Sequence, residues 1–235
     1  MESLQALKNE LKRNANQGKA LFLMRYFKTG PGEYGEGDIF LGLTVPVIRK
    51  IAKKYYNLEL ETVESLLHSK FHEERLAAIF ILVYSFEKSK EEMKRKSFNI
   101  YLKNTKYINN WDLVDLSAGR IIGQYLQGKS KKILYKLAKS KNIWERRIAI
   151  MATFAFIKNN NFKETLTIAE KLLSDKHDLI HKAVGWMLRE IGKGNLKIEE
   201  NFLKKYYKRM PRTMLRYAIE KFAERKRKLY LKGKI

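Results

Sequence analysis

Hydrophobic residues recur along most of the chain with the period of an α-helix. Apolar side chains return every three or four positions, which places them on one helical face. The clearest examples are Val63–Leu67, Leu76–Phe86, Ile121–Leu126, Ile148–Ile157 and Leu166–Leu173. No stretch alternates between apolar and polar residues as a half-buried strand does. The pattern predicts an all-α fold.

Polar and glycine-containing segments separate these helical stretches. LQGKSKK at 126–132, KNNNF at 158–162 and GKGN at 192–195 carry helix stop and start signals. The glycine-rich stretch 27–46, FKTGPGEYGEGDIFLGLTVP, contains neither a P-loop nor a GxGxxG motif that follows a strand. It therefore predicts a long loop that leads into a helix beginning near Pro46.

The N-terminal stretch MESLQALKNELKRNA predicts an amphipathic helix and lacks the apolar core of a signal peptide. The longest apolar run, Leu76 to Phe86, has 11 residues and is too short to span a bilayer. These features predict a soluble intracellular protein.

Four segments suggest an internal repeat: EERLAAIFIL, ERRIAIMATF, IHKAVGWMLR and MLRYAIEKFA. Each places a basic residue before an apolar stretch, at Arg75, Arg147, Lys182 and Arg216, with spacings of 72, 35 and 34. Because the spacing of 72 is twice the others, one further member of the repeat is expected near residue 111. A period of about 35 built from helix pairs is typical of α-solenoids of the HEAT or TPR type. We therefore expect one curved HEAT-like domain over 1–235, with a basic concave groove and a basic tail at about 223–235.

The charge balance is the feature that says most about the binding partner. Lys and Arg number 49 against 25 Asp and Glu, which gives a formal net charge of +24. Such a charge points to a polyanionic partner, and nucleic acid is the commonest one inside cells. An anionic membrane surface is the rival partner, and a lysine-rich surface from a hot or AT-rich background is a third explanation. A basic concave surface could hold a DNA duplex by its phosphates.

Cysteine is absent, which excludes disulfides and thiolate metal sites. His177 and His181 have an i, i+4 spacing that could bind a metal on a helix, but no second pair of ligands is evident. We expect neither a metal nor a cofactor.

Trp186 lies away from the apolar face of its own helix. The predicted core stripe of the helix around 180–191 is formed by Ile180, Val184, Met187, Leu188 and Ile191. Trp186 falls about 160° from the centre of that stripe and shares the opposite face with Lys182 and Arg189. Two interpretations remain open: an aromatic platform beside phosphate-binding cations, or packing against the next repeat.

The segment NNWDLVD, Asn109 to Asp115, places two carboxylates beside a tryptophan. Trp111 and Asp115 are i, i+4 neighbours, whereas Asp112 lies in the first turn, where it can interact with the helix dipole. Asn109 or Asn110 is expected to be the N-cap. Asp115 is thus the candidate for chemistry and Asp112 a structural residue. The predicted core stripe of this helix runs through Val114, Ala118, Ile121, Ile122 and Tyr125.

FKTGPGEYGEGDIFLGLTVPVIRKIAKKY, NNWDLVD, WERRIAIM and HKAVGWMLREIGK together resemble the AlkD-type DNA alkylation repair family, which has a HEAT-like fold. The likeness runs from about Phe22 to Phe222. It implies a basic groove for duplex DNA and removal of cationic N3- and N7-alkylated purines such as 3-methyladenine and 7-methylguanine. The family's catalytic positions match Trp111, Asp115 and Trp186 here.

The resemblance also implies DNA contacts by Arg147 and Arg189, to which we add Lys182, Arg146 and Arg216 from the basic pattern. The last repeat, after Gly192, is less recognisable than the others.

Cleavage of the N-glycosidic bond builds positive charge on the deoxyribose. Asp115 could oppose that charge and position water, while the two indole rings hold the sugar. Since no motif positions a lysine to form a Schiff base, we expect a monofunctional glycosylase without lyase activity. The family leaves the lesion stacked, so we expect no base flipping.

The expected protein is a cytoplasmic, nucleoid-associated monomer of bacterial or archaeal type, with no obligate protein partner and no membrane contact. Two alternatives stay open. One is a non-catalytic module that binds damaged or branched DNA, and the other is a HEAT-type protein-interaction scaffold.

Overall fold

The computed structural model describes residues 3–235, and helices dominate throughout them. The β-structure of this part of the chain is limited to one isolated parallel bridge between Ile39 and Phe71. The all-α prediction is confirmed. Among the residues described, none of the helices has both the length and the apolar character needed to cross a bilayer. The chain divides into two compact units, residues 1–117 and 118–235. The expected single domain stays a prediction.

The first unit is built around one buried helix, α5. Its helices are α1 (Leu4–Arg13), α2 (Gln17–Tyr26), α3 (Val45–Lys54), α4 (Leu60–Leu67), α5 (His72–Lys88), α6 (Glu91–Lys103) and α7 (Trp111–Asp115), with a 3₁₀ turn at Thr105–Tyr107. Helices α1, α3, α4 and α6 all pack on α5. Because it is covered on every side, α5 is hydrophobic nearly all round instead of amphipathic.

The long loop before α3 is fixed by one carboxylate of α5. Glu73 accepts hydrogen bonds from the backbone N–H groups of Leu41 (2.8 Å), Gly42 (2.8 Å) and Leu43 (3.1 Å). Gly42 has φ +86°, and a Cβ there would lie 2.0 Å from the carbonyl oxygen of Asn16, so only glycine fits. The predicted loop and the helix start beside Pro46 are therefore confirmed.

The second unit is built around α12. It contains a π-helical turn (Gly119–Gly123), α8 (Lys132–Leu137), α9 (Ile143–Ala152), α10 (Phe154–Ile157), α11 (Lys163–Lys171), α12 (Asp178–Gly194), α13 (Leu196–Tyr206), α14 (Arg212–Ala218), a 3₁₀ turn (Ile219–Lys221) and α15 (Glu224–Leu231). Helices α9, α11, α13 and α14 pack on α12. A Cβ at Gly185 would lie 2.4 Å from the carbonyl oxygen of Met214, which shows how closely α12 approaches α14.

The repeat has a structural counterpart that corrects its predicted register. Arg75 donates to the carbonyl oxygen of Ser69 and Arg146 to that of Ser140, both at 3.0 Å and both six residues upstream. His181 makes the same six-residue contact to the carbonyl oxygen of Asp175 at 2.5 Å. These donors are spaced by 71 and 35 residues. The period of about 35 holds, but the residues that repeat are Arg146 and His181, one position before the predicted Arg147 and Lys182.

The helix expected to continue beyond NNWDLVD is interrupted. α7 ends at Asp115, and the backbone resumes as a π turn in which the N–H of Gly123 donates to the carbonyl oxygen of Ala118 at 2.9 Å. A Cβ at Gly123 would lie 2.1 Å from the carbonyl oxygen of Ala152, so this turn widens where two backbones nearly touch. The predicted stripe is buried at Val114, Ala118, Ile121 and Ile122, whereas Tyr125 is half-buried.

The basic tail is a docked helix. α15 buries Tyr230, whose ring lies 5.3 Å from that of Tyr207 and 5.7 Å from that of Phe222. Its Lys and Arg residues are mostly exposed.

Candidate functional site

The N-terminus of α7 is anchored by its own side chains. The side-chain oxygen of Asn110 accepts from the backbone N–H of Trp111 at 2.8 Å, which makes Asn110 the N-cap, as predicted for this pair of asparagines. Asp112 accepts from the N–H of Leu113 at 2.8 Å. A helix of five residues is too short to be stable alone, so its position depends on what surrounds it.

A buried histidine links α7 to the rest of the first unit. His72 Nε2 lies 2.8 Å from Asp112 and its Nδ1 lies 3.2 Å from Asp38. Burial alone would lower the pKa of His72, but the charge and hydrogen bond of Asp112, helped by Asp38, raise that pKa to about 9. Asp112 is structural, as expected, and its partner is this imidazolium in addition to the helix terminus.

Asp38 closes the network. It accepts from Arg75 Nη2 at 2.7 Å and from the side-chain amide of Asn109 at 3.3 Å. Burial would raise the pKa of Asp38, but the hydrogen bond from His72 and the charge of Arg75 hold it below the usual value. Asp38 and His72 thus stay ionised in the interior because each lies beside an opposite charge.

Trp111 lies on an aromatic cluster. Its ring stacks on Phe27 with centroids 5.0 Å apart at 14°, and Tyr26 meets it edge-on at 6.1 Å. Phe27 in turn stacks on Phe40 at 5.1 Å. These rings border an apolar cavity of about 510 Å³, whose wall also includes His72, Asp112 and the start of α3. The indole is half-buried, so part of its surface stays accessible to a ligand.

Asp115 is the last residue of α7, one helical turn after Trp111, and it is half-buried. Burial raises the pKa of Tyr101, and the negative charge of Asp115 raises it further. The Tyr101 hydroxyl hydrogen-bonds Ser117 at 2.9 Å. The predicted i, i+4 placement of indole and carboxylate on one helix is thus confirmed, and the carboxylate lies at the carbonyl end, where the helix dipole is negative.

Trp186 belongs to the second unit and lies outside the core stripe of α12. The stripe predicted for this helix is buried throughout, while Trp186 itself is half-buried. Its Nε1–H donates to Glu190 at 3.0 Å, and Glu190 also accepts from Lys193 at 2.7 Å. Glu190 was missed by the sequence reasoning, although its i, i+4 spacing from Trp186 was visible.

The two basic residues that flank Trp186 are held by carboxylates. Lys182 pairs with Asp178 at 2.7 Å, and Arg189 pairs with Glu220 and lies 3.8 Å from Glu190. Both pairs are near the surface, where ion pairs contribute little to stability.

The two arginines of α9 have internal partners. Arg146 donates to Asp175 at 2.6 Å and to the carbonyl oxygens of Ser140 and Lys141. Arg147 is buried, and its Nη1 donates to the carbonyl oxygen of Leu179. Their predicted DNA contacts stay predictions, as do those of Lys182 and Arg189.

Arg216 is exposed and borders a polar cleft of about 440 Å³ with Arg212 and Arg227. Arg212 donates to the carbonyl oxygen of Leu231 at 2.5 Å. Arg212 and Arg227 were not singled out from the sequence.

A family profile described as "DNA alkylation repair enzyme" matches residues 7–222. The chain belongs to this family of DNA alkylation repair enzymes. The match covers all the helices that carry Trp111, Asp115 and Trp186 and stops before α15. The resemblance deduced from the four sequence motifs is confirmed. A comparison with curated proteins gave no match.

Solved structures of DNA alkylation repair proteins share the fold. A protein described as a predicted DNA alkylation repair enzyme from Enterococcus faecalis superposes with a TM-score of 0.69 at 18% identity, over 89% of this chain and 97% of that one. AlkD2 from Streptococcus mutans gives 0.52 at 19% identity, over 94% and 98%. At these identities the likeness establishes the helical-repeat fold alone.

Within this DNA alkylation repair enzyme, the candidate residues fall into two groups. Trp111 and Asp115 share α7 in the first unit, and Trp186 shares α12 with Lys182 and Arg189 in the second. The His177 and His181 side chains, considered for a metal, instead cap the N–H of Leu179 and bind the carbonyl oxygen of Asp175.

Proposed function

We propose that this DNA alkylation repair enzyme is a glycosylase that removes cationic N3- and N7-alkylated purines from duplex DNA by hydrolysis. One observation carries the proposal. In a family member with a net charge of +24, α7 presents a half-buried carboxylate one turn from a half-buried indole. A strongly basic surface suits a phosphate backbone, whereas a carboxylate beside an aromatic face suits a cation.

The reaction requires little of the protein except negative charge and position. In an alkylated purine the base already carries a positive charge, so breaking the bond from C1′ to the purine nitrogen sends the electron pair into the ring and neutralises it. Water then bonds to C1′ and loses a proton. Asp115 would stabilise the positive charge that develops on the sugar and accept the proton from water.

Trp111 would offer the accessible part of its ring to the deoxyribose, because the quadrupole of an indole face favours a cation, and Trp186 would offer a second aromatic face to the DNA. Each ring is restrained, Trp111 by Phe27 stacked on one face and Trp186 by the hydrogen bond from its N–H edge to Glu190. Such restraint reduces the entropy lost when the sugar is positioned. Because a labile cationic base needs no protonation, we expect the lesion to remain stacked in the duplex.

Backbone binding would come from the basic residues of the second unit. The cleft beside Arg212, Arg216 and Arg227 offers planar guanidinium groups, which match phosphate geometry. Lys182 and Arg189 would add contacts by exchanging Asp178 and Glu220 for phosphates. Arg146 and Arg147 would fix α9 and the start of α12, and their proposed contacts with the DNA backbone would add to these internal ones.

The direct test uses duplex DNA that has been methylated to contain 7-methylguanine and 3-methyladenine. We expect the wild-type protein to release the free bases and to leave an intact strand with abasic sites, since it has no lyase activity. Strand nicking without added alkali would contradict the monofunctional assignment. Absence of base release over many hours would contradict the glycosylase assignment itself.

The charge of the protein also favours a second candidate, a non-catalytic module that binds damaged or branched DNA. Tight, salt-sensitive binding without base release would support it. Binding should weaken in Arg216→Ala, with a salt dependence shallower by about one unit in the log–log slope. The matched control is Lys54→Ala, which removes one positive charge from the first unit instead of from the cleft.

A further inference from the structure

His72 occupies a position in the first unit that packing alone does not explain. A buried histidine usually stays neutral, since burial disfavours its charged form. Here the ring lies between two carboxylates, Asp112 at 2.8 Å and Asp38 at 3.2 Å, and it is almost completely buried. Both ring nitrogens therefore act as donors, and the imidazole joins the loop that carries Asp38 to the first turn of α7.

The same ring also continues the aromatic cluster beneath Trp111. His72 stacks on Phe40 with centroids 4.5 Å apart and lies 5.2 Å from Phe27. Phe27 stacks directly on Trp111 at 5.0 Å. His72 thus reaches Trp111 along two routes, through Asp112 to the backbone of α7 and through Phe27 to the indole face.

The position of Trp111 depends on such outside support. α7 contains five residues and ends at Asp115, so one displaced turn would move the indole and the carboxylate together. The cavity of about 510 Å³ beside the cluster leaves room for Trp111 to shift when its support is lost. Interiors without such space resist displacement because they are close-packed.

We propose that His72 is a positioning residue of the glycosylase site: held between Asp38 and Asp112 and stacked on Phe40 beside Phe27, it fixes where α7 presents Trp111 and Asp115. The inference rests on the proposed function for its catalytic consequence. Its structural part, the control of Trp111 by His72, stands independently of any activity.

The structural part can be measured with 5-fluorotryptophan in the full-length chain. The three tryptophans give three ¹⁹F signals, assigned by replacing Trp111, Trp144 and Trp186 in turn with phenylalanine. In His72→Gln we expect the Trp111 signal to shift or broaden while those of Trp144 and Trp186 keep their positions. An unchanged Trp111 signal, or equal changes in all three, would overturn the proposal.

Two control variants separate positioning from general stabilisation. His68 is another histidine of the first unit, hydrogen-bonded to Asn104 at 2.7 Å and in tilted ring contact with Tyr107 at 4.2 Å, but neither partner belongs to α7. Leu67→Ala removes a fully buried side chain from α4 and should destabilise the unit. Neither His68→Gln nor Leu67→Ala should move the Trp111 signal. Movement in either to the extent seen in His72→Gln would contradict a specific role.

A titration of the wild type covers the case in which His72→Gln does not fold. Three charged groups face His72: Asp112 on α7, Asp38 in the loop and Arg75 on the same helix. Two others are nearby. Lys19 on α2 borders the same cavity, and Glu73 is bound by backbone N–H groups. The Trp111 signal should shift between pH 7 and 10 with a midpoint near the pKa of His72, about 9. Tyr26 also faces Trp111, so the titration is repeated in Tyr26→Phe; a flat Trp111 signal there would overturn the proposal.

The catalytic part is tested by base release. His72→Gln should lower the single-turnover rate by roughly 10- to 100-fold, since a misplacement of about 1 Å can cost on the order of 100-fold. DNA affinity should stay within about twofold, because the phosphate contacts lie elsewhere. Equal single-turnover rates for His72→Gln and the wild type would show that His72 does not affect catalysis. Absence of release by the wild type would instead reject the proposed function and leave the ¹⁹F result to judge the positioning.

Discussion

The two helices that carry the candidate indoles are held in opposite ways. α12 has 17 residues and buries a continuous apolar stripe against five neighbouring helices, so Trp186 projects from an element that is held by packing. α7 has five residues, and its place is set by Asn110, Asp112 and the buried His72. The two helices each present a tryptophan, but different interactions hold them in place. α12 depends on helix propensity and packing, whereas α7 depends on buried charge pairs.

The largest effect should follow from Asp112→Ala. The substitution leaves the imidazolium of His72 with a single carboxylate partner and removes the acceptor of the Leu113 N–H. Breaking a buried charge pair from one side costs about 3–5 kcal/mol. Chemical denaturation monitored by circular dichroism should show that loss. A loss below about 1 kcal/mol would mean that α7 does not depend on the network.

The pH dependence should give the next largest effect. Since the pKa of His72 is raised from 6.5 in the unfolded chain to about 9 in the fold, the folded state binds the additional proton. Its stabilisation is complete below pH 6.5 and is lost as pH rises through 9, by roughly 3 kcal/mol in total. Urea unfolding across pH 6–10 measures this loss, which should be absent in His72→Phe.

Glu199 must be replaced in that experiment because it acts in the same direction. Burial raises the pKa of Glu199 from 4.5 to about 8, so the second unit also loses stability as pH rises between these values. Glu199→Gln should be more stable than the wild type at pH 8, and the His72 titration is best measured in that background. If the free energy of unfolding of His72→Phe in the Glu199→Gln background still showed the full decline above pH 8, the charged state of His72 would be refuted.

A smaller effect tests the packing of α12. In Gly185→Ala the new Cβ would lie 2.4 Å from the carbonyl oxygen of Met214 and 2.5 Å from Tyr217, so α12 and α14 must separate. Overpacking of this kind costs about 1–3 kcal/mol. Gly194→Ala is the matched control, since its nearest neighbour is 3.7 Å from the new Cβ. Equal stability of the two variants in thermal unfolding would contradict the close approach.

The smallest effect should come from Glu190→Ala. This residue holds the Trp186 indole N–H and pairs with Lys193 on the surface of the same helix. Loss of one hydrogen bond to a partly exposed carboxylate and of a surface ion pair should change stability by about 1 kcal/mol. Thermal unfolding measures that change. A larger loss would show that Trp186, like Trp111, depends on a polar anchor.

Helical period, charge and the spacing of Trp111 and Asp115 could be read from the sequence because each depends on residues close in the chain. The same holds for the stripe of α12 that leaves Trp186 outside. The end of α7 could not be predicted from the sequence, because the π turn at Gly119–Gly123 lies where the carbonyl of Ala152, distant in the chain, approaches closely. Local periodicity carries no information about such a contact.

The support of α7 was also hidden. His72 lies 40 residues before Asp112 and Asp38 lies 34 before His72, so no window around NNWDLVD includes them. The predicted register of the repeat was off by one residue for a related reason. Arg146 and Arg147 are adjacent residues of the same type, and only their contacts in the fold, such as that of Arg146 with the carbonyl of Ser140, distinguish them.

The central claim is that a single anion, Asp115, opposes the positive charge of a sugar losing its base. The most direct measurement is the single-turnover rate of 7-methylguanine release by Asp115→Asn at saturating protein, compared with the wild type and with Glu61→Gln, an exposed residue of α4, as a surface-charge control. Removal of one preorganised electrostatic group should slow release by on the order of 100-fold or more, without weakening DNA binding. Equal rates for Asp115→Asn and the wild type would contradict the account.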